Sequence, residues 1–271
     1  MDCLRTGGSH EARSRTRNLR AIHGAQCPRA GGATRTLPAP DRIRSNSNSR
    51  VALKTDELGL TFIGHATFLI ETPRGVRVAT DYNDFVRPRV ELDVVTMNKA
   101  HNTHFTNNVS PSIPHVLRGW NPRGGAAAHD LTVKDMRIRN VVTNIRDFAG
   151  GTEYDANSIF VFEASQLCVA HLGHLHHELT EEHLKQIGRI DIALAPVDGG
   201  LTLGQAGMIN VLKALQPSMI IPMHSFGPST LNRFLALARE HWPVEYANTP
   251  SLVLTRAALP LKTKVLVLPG N

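Results

Sequence analysis

The chain holds 271 residues, 41% of them hydrophobic and 20% charged, enough apolar material to bury a core of its own, which excludes a fibrous or wholly disordered protein. Its formal charge of +7 suggests at first a polyanion-binding protein. The excess is local, however: residues 1–50 carry ten Arg against Asp2, Glu11 and Asp41, while residues 51–271 carry 20 basic and 20 acidic side chains. That balance argues against nucleic acid as a partner of the folded part. The longest apolar runs, IDIALAPV and SMIIPM, fall far short of the roughly 18 residues of a membrane span, so none is expected. Cys3, Cys27 and Cys168 lack the paired spacing of a disulfide framework or a structural zinc site. A reducing, cytoplasmic setting is therefore expected, with Cys168 in SQLCVAHL a small buried hydrophobe.

Residues 1–52 are rich in Arg, Ser, Gly, Asn and Thr without helical or alternating period, and are expected to be disordered. Their composition fits an organelle transit peptide, a polyanion-binding arm, or sequence upstream of the true start. An arm that stacks on bases would carry aromatics, and this segment has no Phe, Tyr or Trp. Residues 53–271 are expected to form one domain. It opens with LTFIGHATFLIET and GVRVATDY, three strands of a meander turned at Pro73, Arg74 and Gly75. DVVTM at 93–97 predicts a short buried strand running into NKAHNTHF. Further strands are predicted at 130–143, 157–163, 167–172, 190–197, 218–223, 251–256 and 264–268, the last pairing either within the chain or with a neighbour.

Helices concentrate in the second half. Thr180 can cap a helix that starts with Glu181 and Glu182 and ends at Gly188. AGMINVLKALQ aligns Met208, Leu212 and Leu215 before Pro217, and STLNRFLALAREHW aligns Leu231, Phe234, Leu235 and Ala238. The pattern predicts two sheets sandwiched between helices.

Twelve histidines fall in residues 51–271. His101 and His104, the run His171, His174, His176 and His177, and His224 each follow a predicted buried strand, so their side chains should meet at one edge of the sheets; His65 lies in IGHAT. Converging neutral imidazoles are what a transition-metal site needs. A single histidine would be read as a hydrogen-bonded structural residue; the joint placement favours metal.

Over residues 58–257, the motifs LTFIGHATFLIET, VATDYNDFVRP, DVVTMNKAHNTHF, VAHLGHLHHELT, APVDGG and MIIPMH resemble, in that order, the metallo-β-lactamase fold. The resemblance is to the branch that contains L-ascorbate-6-phosphate lactonase-like proteins and N-acyl-phosphatidylethanolamine phospholipase D-like hydrolases. It implies a four-layer αββα sandwich and an HxHxDH motif binding one or two metals that activate water. That motif falls on residues 99–104, where Lys99 stands for the first histidine and Thr103 for the aspartate, while His101 and His104 are kept. His174 replaces a bridging aspartate, Asn144 or Arg146 replaces a further histidine, and His224 is retained. The resemblance also places His65 near the metal rather than on it and has Asp81 ordering a strand-end loop.

The expected ligands are thus His101, His104, His174 and His224. Four imidazoles favour one zinc ion, with manganese or iron as alternatives, and a non-catalytic protein would need none. Lys99 would ligate only as a free amine, at a cost of about 4–5 kcal/mol at neutral pH; as an ammonium it would repel a second cation and, with His174, steady developing charge. His176 and His177 are either substitute ligands, orienting donors, or polar loop residues. Asp147 and Asp198 are expected to orient ligand imidazoles from behind. Arg118 and Trp120, on a long polar segment, are candidate contacts for an anionic or ester substrate. The expected function is a metal-dependent hydrolase of an ester, lactone or phosphodiester; the alternative is a catalytically silent relative that binds an anionic small molecule.

Overall fold

The computed structural model describes residues 52–147 and 149–270; the expectations for residues 1–51 lie outside them. Two sheets stack face to face. The first runs in the order β13 (Ser251–Thr255), β1 (Glu57–Gly64), β2 (Thr67–Glu71), β3 (Arg77–Ala79), β4 (Val94–Met97) and β5 (His115–Arg118). The second runs β12 (Val244–Tyr246), β14 (Lys264–Val267), β11 (Met219–Met223), β10 (Ile192–Pro196), β9 (Leu167–His171), β8 (Thr152–Ala164), β7 (Met136–Arg146) and β6 (Asp130–Val133).

The alternation in β1 buries Leu58, Leu60 and Phe62 between the sheets, against Phe160, Phe162, Ile221 and Met223 of the second. The strands β9, β10 and β11 are parallel and buried along their whole length, which explains their unbroken apolar sequence. Helix α2 (Gln205–Leu215) makes the crossover from β10 to β11. With α1 (Glu181–Ile187) and α3 (Pro228–Arg239) it covers the outer face of the second sheet through Met208, Leu212, Leu231 and Phe234. Thr180 caps α1 as expected, its side chain accepting from the amide of His183. The predicted C-terminal strand pairs inside the chain, as β14 between β11 and β12.

The outer face of the first sheet carries no helix among the described residues; its apolar residues Leu69, Val95, Met97 and Val116 are roofed by irregular chain that brings Tyr82, Val90, Leu92, Phe105, Val109 and Ile113. Pro88, Pro111 and Pro114 interrupt those segments and deny them helical hydrogen bonding. Cys168 is buried on β9, as expected of a small hydrophobe in that run. No helix among the described residues is long and apolar enough to cross a membrane.

Parallel pairing decides where the site falls. In the second sheet β9, β10 and β11 end at one edge, with Pro196 opposite Met223; in the first, β3 runs parallel to β4. The residues after all five strands therefore emerge together, the edge at which open α/β sheets bind ligands.

Candidate metal centre

His65 sits in the turn from β1 to β2, just past a register shift between Phe62 and Gly64 that re-aims the strand end. Four residues at this edge hold left-handed backbone: His65 at φ 54°, Asp81 at 40°, His224 at 57° and Phe226 at 55°. Such conformations cost about 1–3 kcal/mol each and persist where surrounding structure over-determines them. Here the amide of His224 donates to the carbonyl of His65 at 2.8 Å, tying the two sheets together.

The imidazoles converge as a result. One nitrogen from each of His65, His104 and His224 lies within 4.8 Å of the others. The ring of His174 stands 4.8 Å from that of His104 and 5.1 Å from that of His224, and the ring of His101 stands 4.8 Å from that of His174. The buried Nε2 atoms of His101 and His174 make no hydrogen bond.

Two carboxylates set the orientation of the central pair. Asp81 Oδ2 lies 2.6 Å from His104 Nδ1, and Asp198 Oδ1 lies 3.0 Å from His224 Nδ1. Burial raises Asp81 to about 6, opposed by His171 and a hydrogen bond from Asn98, so it is a carboxylate at neutral pH. Burial would also raise Asp198, but hydrogen bonds from His224, Thr202 and the amide of Gly200 win and hold it far below the usual carboxylate range. Both imidazoles therefore donate from Nδ1 and turn Nε2 forward, and the two Nε2 atoms face each other at 3.0 Å. Burial, with the neighbouring His224, keeps His104 well below the ordinary histidine pKa. At that spacing the facing nitrogens hold at most one proton between them. A cation in that place satisfies both lone pairs, and imidazole nitrogens oriented by carboxylates are apt ligands for zinc and related metals. The residues present thus fit a metal ion.

The other expected residues are placed as follows. Thr103 contacts His65, its Oγ1 3.2 Å from Nε2. Lys99 is exposed and ion-paired with Glu153, and no described contact joins it to the imidazoles. Asp147 does not orient a ligand; its Oδ1 accepts from the amides of Ala149 and Gly151 and closes a surface turn. Arg118 lies over Trp120, which packs edge-on against Phe105 in the roof of the first sheet. His176 Nε2 lies 2.5 Å from His174 Nδ1, while His177 Nε2 accepts from the amide of Asn144. His171 is structural, donating from Nε2 to the carbonyl of Ala66.

Asn98 and Asn157 were not singled out in the sequence. Both are fully buried: Asn98 donates to Asp81 and accepts from the amide of Ser158, and Asn157 accepts from the amide of His174. For Asn98 the available signal was a polar residue directly after a buried strand, VVTM, where a purely apolar core would not tolerate one. Beside His65 opens a cavity of about 290 Å³ lined by Phe62, Ser225, Phe226, Gly227 and Gly270.

Residues 59–224 match the family described as the beta-lactamase superfamily domain. The chain belongs to that family. Among its relatives, a UPF0173 protein of Pyrococcus abyssi is 25% identical over 183 residues, 61% of this chain and 82% of that protein. A UPF0173 metal-dependent hydrolase of Pelotomaculum thermopropionicum is 26% identical over 190 residues, 61% of this chain and 83% of that protein. A solved structure from Thermotoga maritima, assigned to the Zn-dependent hydrolases of the metallo-β-lactamase superfamily, is 30% identical and covers 78% of this chain and 98% of its own at a TM-score of 0.59. Igni18, a metallo hydrolase of Ignicoccus hospitalis, shares the fold at 18% identity, 79% and 97% coverage and a TM-score of 0.51. The metallo-β-lactamase resemblance read from the motifs holds, and the chain stands among the metal-dependent hydrolases of that superfamily.

Proposed function

We propose that this metallo-β-lactamase-fold enzyme hydrolyses an ester, lactone or phosphodiester at a single divalent ion, held by His65, His104 and His224. The observation that carries the reading is the pair of Nε2 atoms facing each other at 3.0 Å, each turned inward by a carboxylate behind it. An all-imidazole donor set favours zinc, with manganese and iron less suited and magnesium and calcium disfavoured. Such an ion supplies Lewis acidity and an activated water. Three ligands leave a position open to substrate. Among the described residues no carboxylate joins the cluster of His65, His104 and His224 to neutralise a second cation, which supports one ion rather than two.

The chain's own residues do the rest. Asp81 and Asp198 hold the ligand rings in one tautomer and one orientation. Phe226 stacks edge-on at 4.6 Å from His224 and, with Phe62, gives the adjoining cavity an apolar wall without charged side chains, suited to an uncharged portion of the substrate. Lys99, the anion-binding group of the non-catalytic alternative, is already paired with Glu153, so nothing in the site favours that alternative.

The test is metal content of the full-length protein together with hydrolysis of p-nitrophenyl acetate and bis(p-nitrophenyl) phosphate. One equivalent of zinc, with activity lost on chelation and restored by zinc, is the expected result. A chain that takes up no metal on zinc loading overturns the proposal.

A further inference from the structure

We propose that His174 serves this site as a hydrogen-bond donor and not as a metal ligand, its Nε2–H aimed at the substrate oxygen that gains negative charge during hydrolysis. The inference deepens the metal-centre reading and rests on it. It follows from a chain of hydrogen bonds whose first direction is fixed. The backbone amide of Arg146 can only donate, and it does so to His176 Nδ1 at 2.9 Å. A neutral His176 therefore carries its proton on Nε2, which faces His174 Nδ1 at 2.5 Å. His174 Nδ1 is then an acceptor, and the single proton of a neutral His174 sits on Nε2.

The outcome is opposite to that of the ligand pair. His104 and His224 spend their protons on carboxylates behind them and turn lone pairs inward, whereas His174 receives a proton donor from behind and turns an N–H inward. That N–H is buried in a residue only 1% exposed and has no partner. Leaving a buried donor unsatisfied costs about 1–3 kcal/mol, so the arrangement calls for an acceptor oxygen among the imidazoles. Lone-pair ligation through Nε2 would require the relay to reverse, and the relay is anchored. Arg146 pairs with Thr152 across β7 and β8, and its guanidinium donates to the carbonyls of Gly200, Leu201 and Thr202. A preorganised donor to a developing oxyanion is the usual source of large electrostatic stabilisation. Where the metallo-β-lactamase resemblance expects a negatively charged bridging ligand, this chain presents a donor.

The decisive measurement is long-range 1H–15N correlation of the histidine rings in the full-length protein, metal-free and zinc-loaded. His174 Nε2 is expected to show a protonated-type shift in both states, and zinc is expected to move the Nε2 signals of His104 and His224 instead. A His174 Nε2 that is unprotonated in the metal-free protein, or that acquires a metal-bound shift with zinc, overturns the proposal. As a positioning control, His176→Phe removes the relay and should turn the single tautomer of His174 into a mixture; an unchanged tautomer counts against the relay. His174→Phe should keep the parent's zinc stoichiometry while kcat falls about 10²–10³-fold, and loss of zinc in that variant overturns the donor role. If the parent itself takes up no zinc, the metal reading fails, and the metal-free spectrum still decides which nitrogen of His174 carries the proton.

Discussion

Asp198 does two things with one carboxylate. It accepts from the amides of Gly200, Leu201 and Thr202, which shapes the turn after β10, and from His224 Nδ1, which fixes that ring. Asp198→Asn keeps an oxygen for the turn but brings an amide against the imidazole. Zinc affinity should fall about 10–100-fold with the fold intact, read by competition with a chromophoric chelator and by circular dichroism. Removing the ring itself is harsher: His224→Ala should abolish stoichiometric zinc, checked by metal analysis after dialysis. The histidines after DVVTM and SMIIPM were legible because a buried strand delivers its next residue to the sheet edge. The part of His65 was not, since it depends on a bulge and a left-handed turn that no spacing rule encodes. Lys99 was legible as a departure from the family motif, but its partner Glu153 lies 54 residues away, and only the fold brings them together.

Strand ends and their connecting turns carry the next layer of control. Gly173 follows β9 at φ 60°, and a Cβ there would come within 2.4 Å of Asn98 Nδ2 and 2.5 Å of Asn157 Oδ1. Those amides support Asp81 and His174, so Gly173→Ala strains the turn and displaces the scaffold of the site at once. It should lose at least about 2 kcal/mol in urea unfolding and bind zinc more weakly. Thr180→Ala offers the contrast: it removes the cap of α1, far along the chain from any ligand, and should cost about 1 kcal/mol with zinc binding unchanged. Helix α1 was readable to its ends because the cap, the first-turn acids and the closing glycine agree. Strands β5 and β12 escaped notice because three or four partly exposed residues, HVLR and VEY, leave too little buried pattern to stand out.

At the scale of the whole molecule the imidazoles act as a clasp. His65 and His104 extend from the first sheet and His224 from the second, so an ion bound by all three joins the layers of the sandwich. A zinc concentration a thousandfold above Kd adds about 4 kcal/mol to the folded state. Chelation should accordingly lower Tm on the order of 8–16 °C for a domain of this size, measured by calorimetry before and after zinc is restored. The sandwich itself was legible from alternating and unbroken apolar runs. The loop roof over the first sheet was not, because its apolar residues follow neither a helical nor an alternating period and Pro88, Pro111 and Pro114 break the segments that carry them.

That loop-covered face sets an expected order of failure. Helices back one flank of the enzyme, while the other is a thatch of loops pinned by a few apolar side chains, and the loop bearing His101 and His104 runs straight into it at Phe105. Irregular segments outside the strand and helix ladders open at lower free energy than strands and helices. Heating should therefore extinguish hydrolysis several degrees before the sheets melt, a gap visible when activity and circular dichroism are followed on the same ramp. On that outcome the thinner wall, not the sandwich, sets the temperature at which this enzyme stops working.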